Sequence, residues 1–339
     1  MSDAIRSGSA ERATPSIRPF RGEPDLPGMV EAGNAMRIAA GSIELVTLEG
    51  MTSQYANLTG SDPGRDVFVA ELGGHIVGYA RVEQSDPIDG VREYMAVVLA
   101  EPGPHQLATC AALLDACEAR ALDRAADEER AGRATDRPLV HGAFSWDGEA
   151  VYSGLLLERG YRPVRTSFEM VRPTLDDIPD LALPPGIELR PVLPEHYRSI
   201  FDADVEAFAE HWGWTDASDA SYARFLGDPT FQPELWTIAW DGDQIAGQVR
   251  AYIVDEENER LGVRRGWTEN ISVRKPWRGR GIAKALIAES LRRQRDRGMT
   301  ESALTVDALN ETGALQLNRS MGFAVTSSQT QYRRKMGTG

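Results

Sequence analysis

The stretch from Trp267 to Gly298 constrains the fold more than any other part of the chain, because three elements follow one another there without a break. Trp267-Thr268-Glu269-Asn270-Ile271-Ser272-Val273 alternates its faces as a β-strand does. Arg274-Lys275-Pro276-Trp277 leads on to Arg278-Gly279-Arg280-Gly281-Ile282-Ala283, and from there Ile282, Leu286, Ile287 and Leu291 recur at helical spacing until Gly298 stops the helix. Glycines between a strand and a helix let successive N–H groups and the helix N-terminus point at one place, where they can hold a pyrophosphate. Arg278, Arg280 and Lys284 add positive charge there. A lone turn of glycine and arginine is also compatible with a solvated loop. Neither the Walker order Gly-x-x-x-x-Gly-Lys-Ser/Thr nor the dinucleotide order Gly-x-Gly-x-x-Gly is present.

The rest of the chain says where such a site can sit. At 339 residues the chain exceeds one average domain, so two domains are the starting expectation. A net charge of -14 argues against a protein that neutralises nucleic-acid phosphates along a basic face, so any phosphate site is local. Cys110 and Cys117 lie seven apart in an alanine-rich helical stretch, which suits neither a disulfide framework nor a zinc motif, and they read as small core residues. No apolar run approaches the ~18 residues that span a bilayer, and the start has no apolar signal core. The expectation is a cytoplasmic protein with no membrane partner and a disordered leader over residues 1–14.

An ordered internal repeat supports two halves. Val69-Ala70-Glu71-Leu72-Gly73-Gly74-His75-Ile76-Val77-Gly78 aligns with Ile238-Ala239-Trp240-Asp241-Gly242-Asp243-Gln244-Ile245-Ala246-Gly247, each a strand, a glycine turn and a second strand. Ile17-Arg18-Pro19 matches Leu189-Arg190-Pro191 upstream, and Gly160-Tyr161 matches Gly322-Phe323 downstream. One such match would mean little, whereas several in order favour duplication. Prolines and acids without helical periodicity over residues 173–186 read as a linker. That divides the chain into 15–172 and 187–336.

At this point the sequence resembles the GNAT superfamily of N-acetyltransferases. The signature Gln/Arg-x-x-Gly-x-Gly/Ala is met by Arg278, Gly281 and Ala283, and the strand before it by Asn270 to Val273. A second element, a helix opening with Asn and ending in Gly-Phe, is met by Asn310 and by Gly322-Phe323. The whole is similar to tandem GNAT proteins of the mycothiol-synthase-like kind. The resemblance implies two tandem GNAT-like α/β domains, each a mixed, mostly antiparallel sheet flanked by helices. It implies acetyl-CoA as cosubstrate, with pantetheine on the backbone of Ile271, Ser272 and Val273, pyrophosphate on Arg278, Gly279, Arg280, Gly281, Ile282 and Ala283, and Asn310 beside the thioester. No metal is required.

The N-terminal copy is expected to be degenerate, because Pro102 and Pro104 remove N–H donors where the phosphate loop would lie. For catalysis, Glu269 is the leading base, although the family's usual acid position on this strand falls on Trp267. Asp307 is the second candidate. Asn318 stands where many members carry a tyrosine acid, and an amide donates a hydrogen bond without acting as an acid at neutral pH. His211, Trp212 and Trp214 are candidates for an acceptor pocket. The leading reading is an N-acetyltransferase acting on a primary amine of a small molecule. The alternatives are a silent CoA-binding sensor or scaffold and a protein N-terminal or lysine acetyltransferase.

Overall fold

The computed structural model describes residues 14–209, 218–308 and 313–337. The N-terminal half runs β1 (Ser16–Pro19), α1 (Leu26–Ala39), α2 (Leu48–Ala56), α3 (Pro63–Asp66), β2 (Val67–Leu72), β3 (His75–Ser85), β4 (Arg92–Ala100), α4 (Gln106–Arg130), β5 (Leu139–Trp146), α5 (Ala150–Glu158) and β6 (Arg162–Arg172). The C-terminal half follows the same plan: β7 (Ile187–Leu189), α6 (Tyr197–Phe208), α7 (Asp219–Leu226), β8 (Thr237–Asp241), β9 (Gln244–Ile253), α8 (Asp255–Leu261), β10 (Arg265–Val273), α9 (Ile282–Asp296), β11 (Glu301–Asp307), α10 (Ala314–Ser320) and β12 (Ala324–Lys335). The aligned hairpins match in detail. The β2·β3 ladder shifts register between Ala70 and Glu71, and the β8·β9 ladder shifts between Ala239 and Trp240, which the repeat places at the same positions.

The twelve strands of the described residues form one sheet, in the order β1-β2-β3-β4-β5-β12-β6-β11-β10-β9-β8-β7. Among them only β4·β5 and β10·β11 are parallel pairs, and the other ladders are antiparallel. Each half lends its last strand to the other. β12 pairs with β5 from Gln329 to Lys335, β6 pairs with β11 from Arg172 to Ser167, and β6 and β12 pair with each other at the centre. Two sheets that would each have ended in an exposed edge are joined through these strands, which satisfies their backbone groups.

Separate cores lie on the two halves. Leu99, Leu113, Leu114 and Tyr152 belong to the N-terminal one, and Ala246, Leu286, Leu291 and Leu304 to the C-terminal one. The periodic face of α9 is buried as its spacing requires: Ile282, Ala285, Leu286, Ile287 and Leu291 all face inward. Gly298, at φ 86, ends this helix, with the Met299 N–H bonded to the Gln294 carbonyl. Cys110 and Cys117 are free and buried on α4. Residues 173–186 contain no helix or strand. Even so, Leu175 is buried and Ile178, Leu181 and Leu183 pack on the C-terminal core. Among the described residues no helix is long and apolar enough to cross a membrane.

The strand exchange has a testable consequence. Limited proteolysis between residues 173 and 186 should leave the fragments associated, because β6 remains paired with β11 and β12 with β5. The nicked protein should elute from gel filtration as one species, and fragments that separate without denaturant would contradict the exchange.

Candidate functional site

A cavity opens where β10 and β11 part. They pair in parallel only from Arg265–Trp267 to Glu301–Ala303, after which β11 stays with β6 while β10 turns away. The cause lies in β10. Its ladder with β9 is irregular between Glu269 and Ser272, and Asn270 sits at φ 50, the only positive-φ residue other than glycine among the described residues. An extra residue of this kind bends and twists a strand. The cavity so formed has a volume of about 610 Å³. Glu269 to Val273 form one wall, Thr305, Val306 and Asp307 of β11 another, and Gly279, Gly281, Ile282, Ala283 and Lys284 the floor. Ala314, Leu317 and Asn318 of α10 and Ala207 and Phe208 of α6 complete it.

The loop provides backbone more than side chains. Gly279 and Gly281 adopt φ 74 and φ 83, and open space lies where their Cβ atoms would be. Gly281 begins α9 with no side-chain cap, so the first N–H groups of a 15-residue helix are left for another acceptor. Arg278 lines the cavity as well. Its Nε donates to the Val273 carbonyl at 2.9 Å and its guanidinium to the Ala207 carbonyl at 3.3 Å, so it ties the end of β10 to α6. Arg280 is exposed and outside the cavity lining, while Lys284 is within it.

Glu269 extends into the gap between the two strands. The Thr305 N–H donates to its Oε1 at 2.6 Å. Glu269 is half-buried, and desolvation in the gap pushes its pKa up to about 8, with the Thr305 N–H opposing and the nearby charge of Glu44 reinforcing the shift. Asp307 also lines the cavity, but its carboxylate is paired with Arg165 of β6. Asn318 is 3% exposed, and its Oδ1 has no hydrogen-bond partner among the described residues. A buried carboxamide in that condition on a cavity wall is fitted to meet a ligand. His211, Trp212, Trp214 and Asn310 lie outside the described residues.

A second cavity, about 660 Å³, lies between the halves. Trp267, two residues before Glu269 on the same face of β10, lines it, and Tyr252 stacks on Trp267 with ring centroids 6.0 Å apart. Glu44, Glu49, Glu83, Asp228, Asp255, Glu256 and Glu257 surround it, against the cation of Arg224. Sequence reasoning missed this cavity, since its wall at residues 44–59 carries no motif and reaches Trp267 only through the fold.

The matching place in the N-terminal half is filled by its own side chains. At the end of β4 the Ala100 N–H bonds to Sδ of Met36 at 3.2 Å. Glu149 caps α5 and takes a further bond from Gln106 at the start of α4, at 3.1 Å. His105 pairs with Glu101 at 3.1 Å, and its ring takes the space a side chain at Gly103 would enter. Calorimetric titration should therefore give one CoA per chain, and two equivalent sites would show that these contacts open.

Known proteins resemble this chain in sequence and in fold. Residues 197–323 match the model of the Acetyltransferase (GNAT) family. The chain is 30% identical over 278 residues to a mycothiol acetyltransferase of Salinispora arenicola, covering 80% of this chain and 82% of that one. It is 28% identical over 265 residues to the mycothiol acetyltransferase of Catenulispora acidiphila, covering 77% and 78%. Among solved structures, a GCN5-related N-acetyltransferase from Sphaerobacter thermophilus superposes with TM-score 0.71 at 25% identity over 96% of both chains. A tandem GNAT protein from the clavulanic acid biosynthesis pathway superposes with TM-score 0.70 over 96% of this chain and 99% of its own, and at 14% identity it speaks for the fold alone.

Proposed function

This chain belongs to the GNAT acetyltransferase family, with two such domains in tandem, and is an acetyl-CoA-dependent acyltransferase; on that premise we propose that it acetylates a primary amine of a small molecule by direct attack. The observation that carries this reading is Glu269, a carboxylate on the wall of the strand gap that accepts the Thr305 N–H at 2.6 Å and is lifted to about 8 by desolvation, with the charge of Glu44, on the wall of the acidic cavity, adding to the shift. A base of that strength accepts the proton of an alkylammonium near neutral pH better than an ordinary carboxylate does. The acidic surroundings favour an acceptor that arrives as a cation.

In this reading the gap holds the pantetheine arm against the backbone of Ile271, Ser272 and Val273, and the residues from Arg278 to Ala283 hold the pyrophosphate on their N–H groups. The family resemblance assigns Asn310 to the arm near the thioester and His211, Trp212 and Trp214 to acceptor recognition. Glu269 takes the ammonium proton. The freed nitrogen bonds to the acetyl carbonyl carbon as the C–S bond breaks, and the electron pair leaves on sulfur. Asn318 donates an N–H toward that sulfur. A thiol pKa of ~8.5 makes the thiolate an adequate leaving group without a protein acid. Orienting both reactants removes ~7–11 kcal/mol of barrier in favourable cases. Asp307, held by Arg165, keeps a structural role.

The test is thiol release from acetyl-CoA with a panel of small amines. Turnover with a small amine supports the reading. Tight CoA binding with no turnover on any amine would leave a sensor, and turnover confined to peptide amines would move the acceptor to protein.

A further inference from the structure

The wall of the acidic cavity opposite β10 comes from the N-terminal half, and three buried side chains of the sheet side clamp it. The segment Ser42 to Val46, between α1 and α2, is tied at its start to Glu169 of β6, which accepts from the Ser42 hydroxyl at 2.8 Å and the Ile43 N–H at 2.9 Å. Arg265 donates to the Ile43 carbonyl at 2.9 Å. The Ile43 side chain packs on Trp267, Val171 and Ala303. Beyond Glu44, the Leu45 N–H donates to one oxygen of Glu257 at 2.9 Å. The other oxygen of Glu257 accepts from the Trp267 indole N–H at 2.8 Å.

Glu257 thus joins two walls with one carboxylate. It is 3% exposed on α8, and both of its donors are neutral, so its two oxygens are committed to fixing geometry. On one side it sets the backbone next to Glu44, whose charge acts on Glu269. On the other it sets the indole two residues before Glu269 and the ring on which Tyr252 stacks. None of these contacts touches the cavity that lies along the phosphate loop.

We propose that Glu257 is a positioning residue for the acceptor, holding the Ser42–Val46 segment and the Trp267 indole as facing walls of the acceptor cavity. This rests on the reading of the inter-half cavity as the acceptor site. Its signature is a separation of the two substrates: the acceptor side depends on Glu257 and the CoA side does not.

The experiment compares wild type, Glu257→Gln and Trp267→Phe in acceptor KM, kcat and CoA dissociation constant, using the amine that gives the fastest wild-type turnover. Glu257→Gln keeps the shape but turns an N–H toward one of its two former donors, so acceptor KM should rise about tenfold, the scale of one lost hydrogen bond to a buried charge. Its CoA dissociation constant should stay within about twofold of wild type, as expected for a site that shares no contact with it. Trp267→Phe leaves the Leu45 bond in place and should raise acceptor KM by less. An unchanged acceptor KM in Glu257→Gln, or an equal loss of CoA affinity, overturns the proposal. Should Glu257→Gln fail to fold, Trp267→Phe decides: a raised acceptor KM at constant CoA affinity supports it, and an unchanged one overturns it. Wild-type protein inactive with every amine would remove the acceptor reading and this inference together, whereas active wild type with unaffected variants removes the inference alone.

Discussion

Gly281→Val should abolish measurable CoA binding, a loss beyond about a hundredfold, while Arg280→Ala weakens it only about fivefold, the scale of one exposed ion pair. The difference follows from what each residue contributes. Gly281 holds φ 83 at the first turn of α9, a conformation that costs an ordinary L-residue about 1–2 kcal/mol. Open space lies where its Cβ would be, and Gly281 lines the cavity in which the proposed pyrophosphate would approach the backbone. The Cβ of a valine therefore meets no protein atom, so the fold should stay intact while the side chain strains the turn and crowds the approach of the phosphates. Arg280 is exposed and outside the cavity lining, so its charge acts through solvent and its loss should show more clearly at low salt. Titrating CoA into both folded variants settles the comparison. Near-normal affinity in Gly281→Val would remove the loop from the site.

Local pattern carried most of what was legible in the sequence. The helical spacing after Ile282 and the glycines before it announce a strand, turn and helix, and the structure has β10, the loop and α9 in those places. The Gly73-Gly74 and Gly242 hairpins announced the repeat, and the structure adds a register shift at matching positions of the two ladders. What was not legible depends on partners distant in sequence. Nothing in Phe168 or Gln329 says that β6 and β12 exchange halves, because a strand of alternating residues pairs equally well with either edge. Spacing could not show that Arg278, on the cavity wall, also binds the carbonyls of Val273 and Ala207, brought near only by the fold. Asp307 read as a second candidate base, and its pairing with Arg165 arises only because β6 crosses to β11. Glu257 carried no signal at all, since its bond to the Leu45 N–H spans 212 residues.

Glu269→Gln should lower kcat by about a hundredfold to ten-thousandfold, the range for removal of a general base, while leaving CoA affinity nearly unchanged. Glutamine keeps the size of the side chain and can still accept the Thr305 N–H, so the gap should retain its shape. The sign of the pH dependence identifies the group. Burial raises the Glu269 carboxyl to about 8, so in the wild type only a small fraction is ionised well below that value. The rate with subsaturating acceptor should therefore climb about tenfold per pH unit and level off above the raised pKa, and the Gln variant should lose that ascending limb. Stability runs the opposite way. A carboxyl whose pKa is raised on folding favours the folded state most when it is protonated, so this contribution is present below its ordinary value and is lost as pH rises toward about 8. Thermal unfolding of the ligand-free wild type should accordingly fall off over that window more steeply than that of Glu269→Gln. An ascending limb that survives in the Gln variant, with kcat nearly intact, would assign the proton to another group. If instead the rate falls and the stability curves of the two proteins stay parallel, Glu269 takes part in the reaction without the raised pKa that burial in the gap should give it.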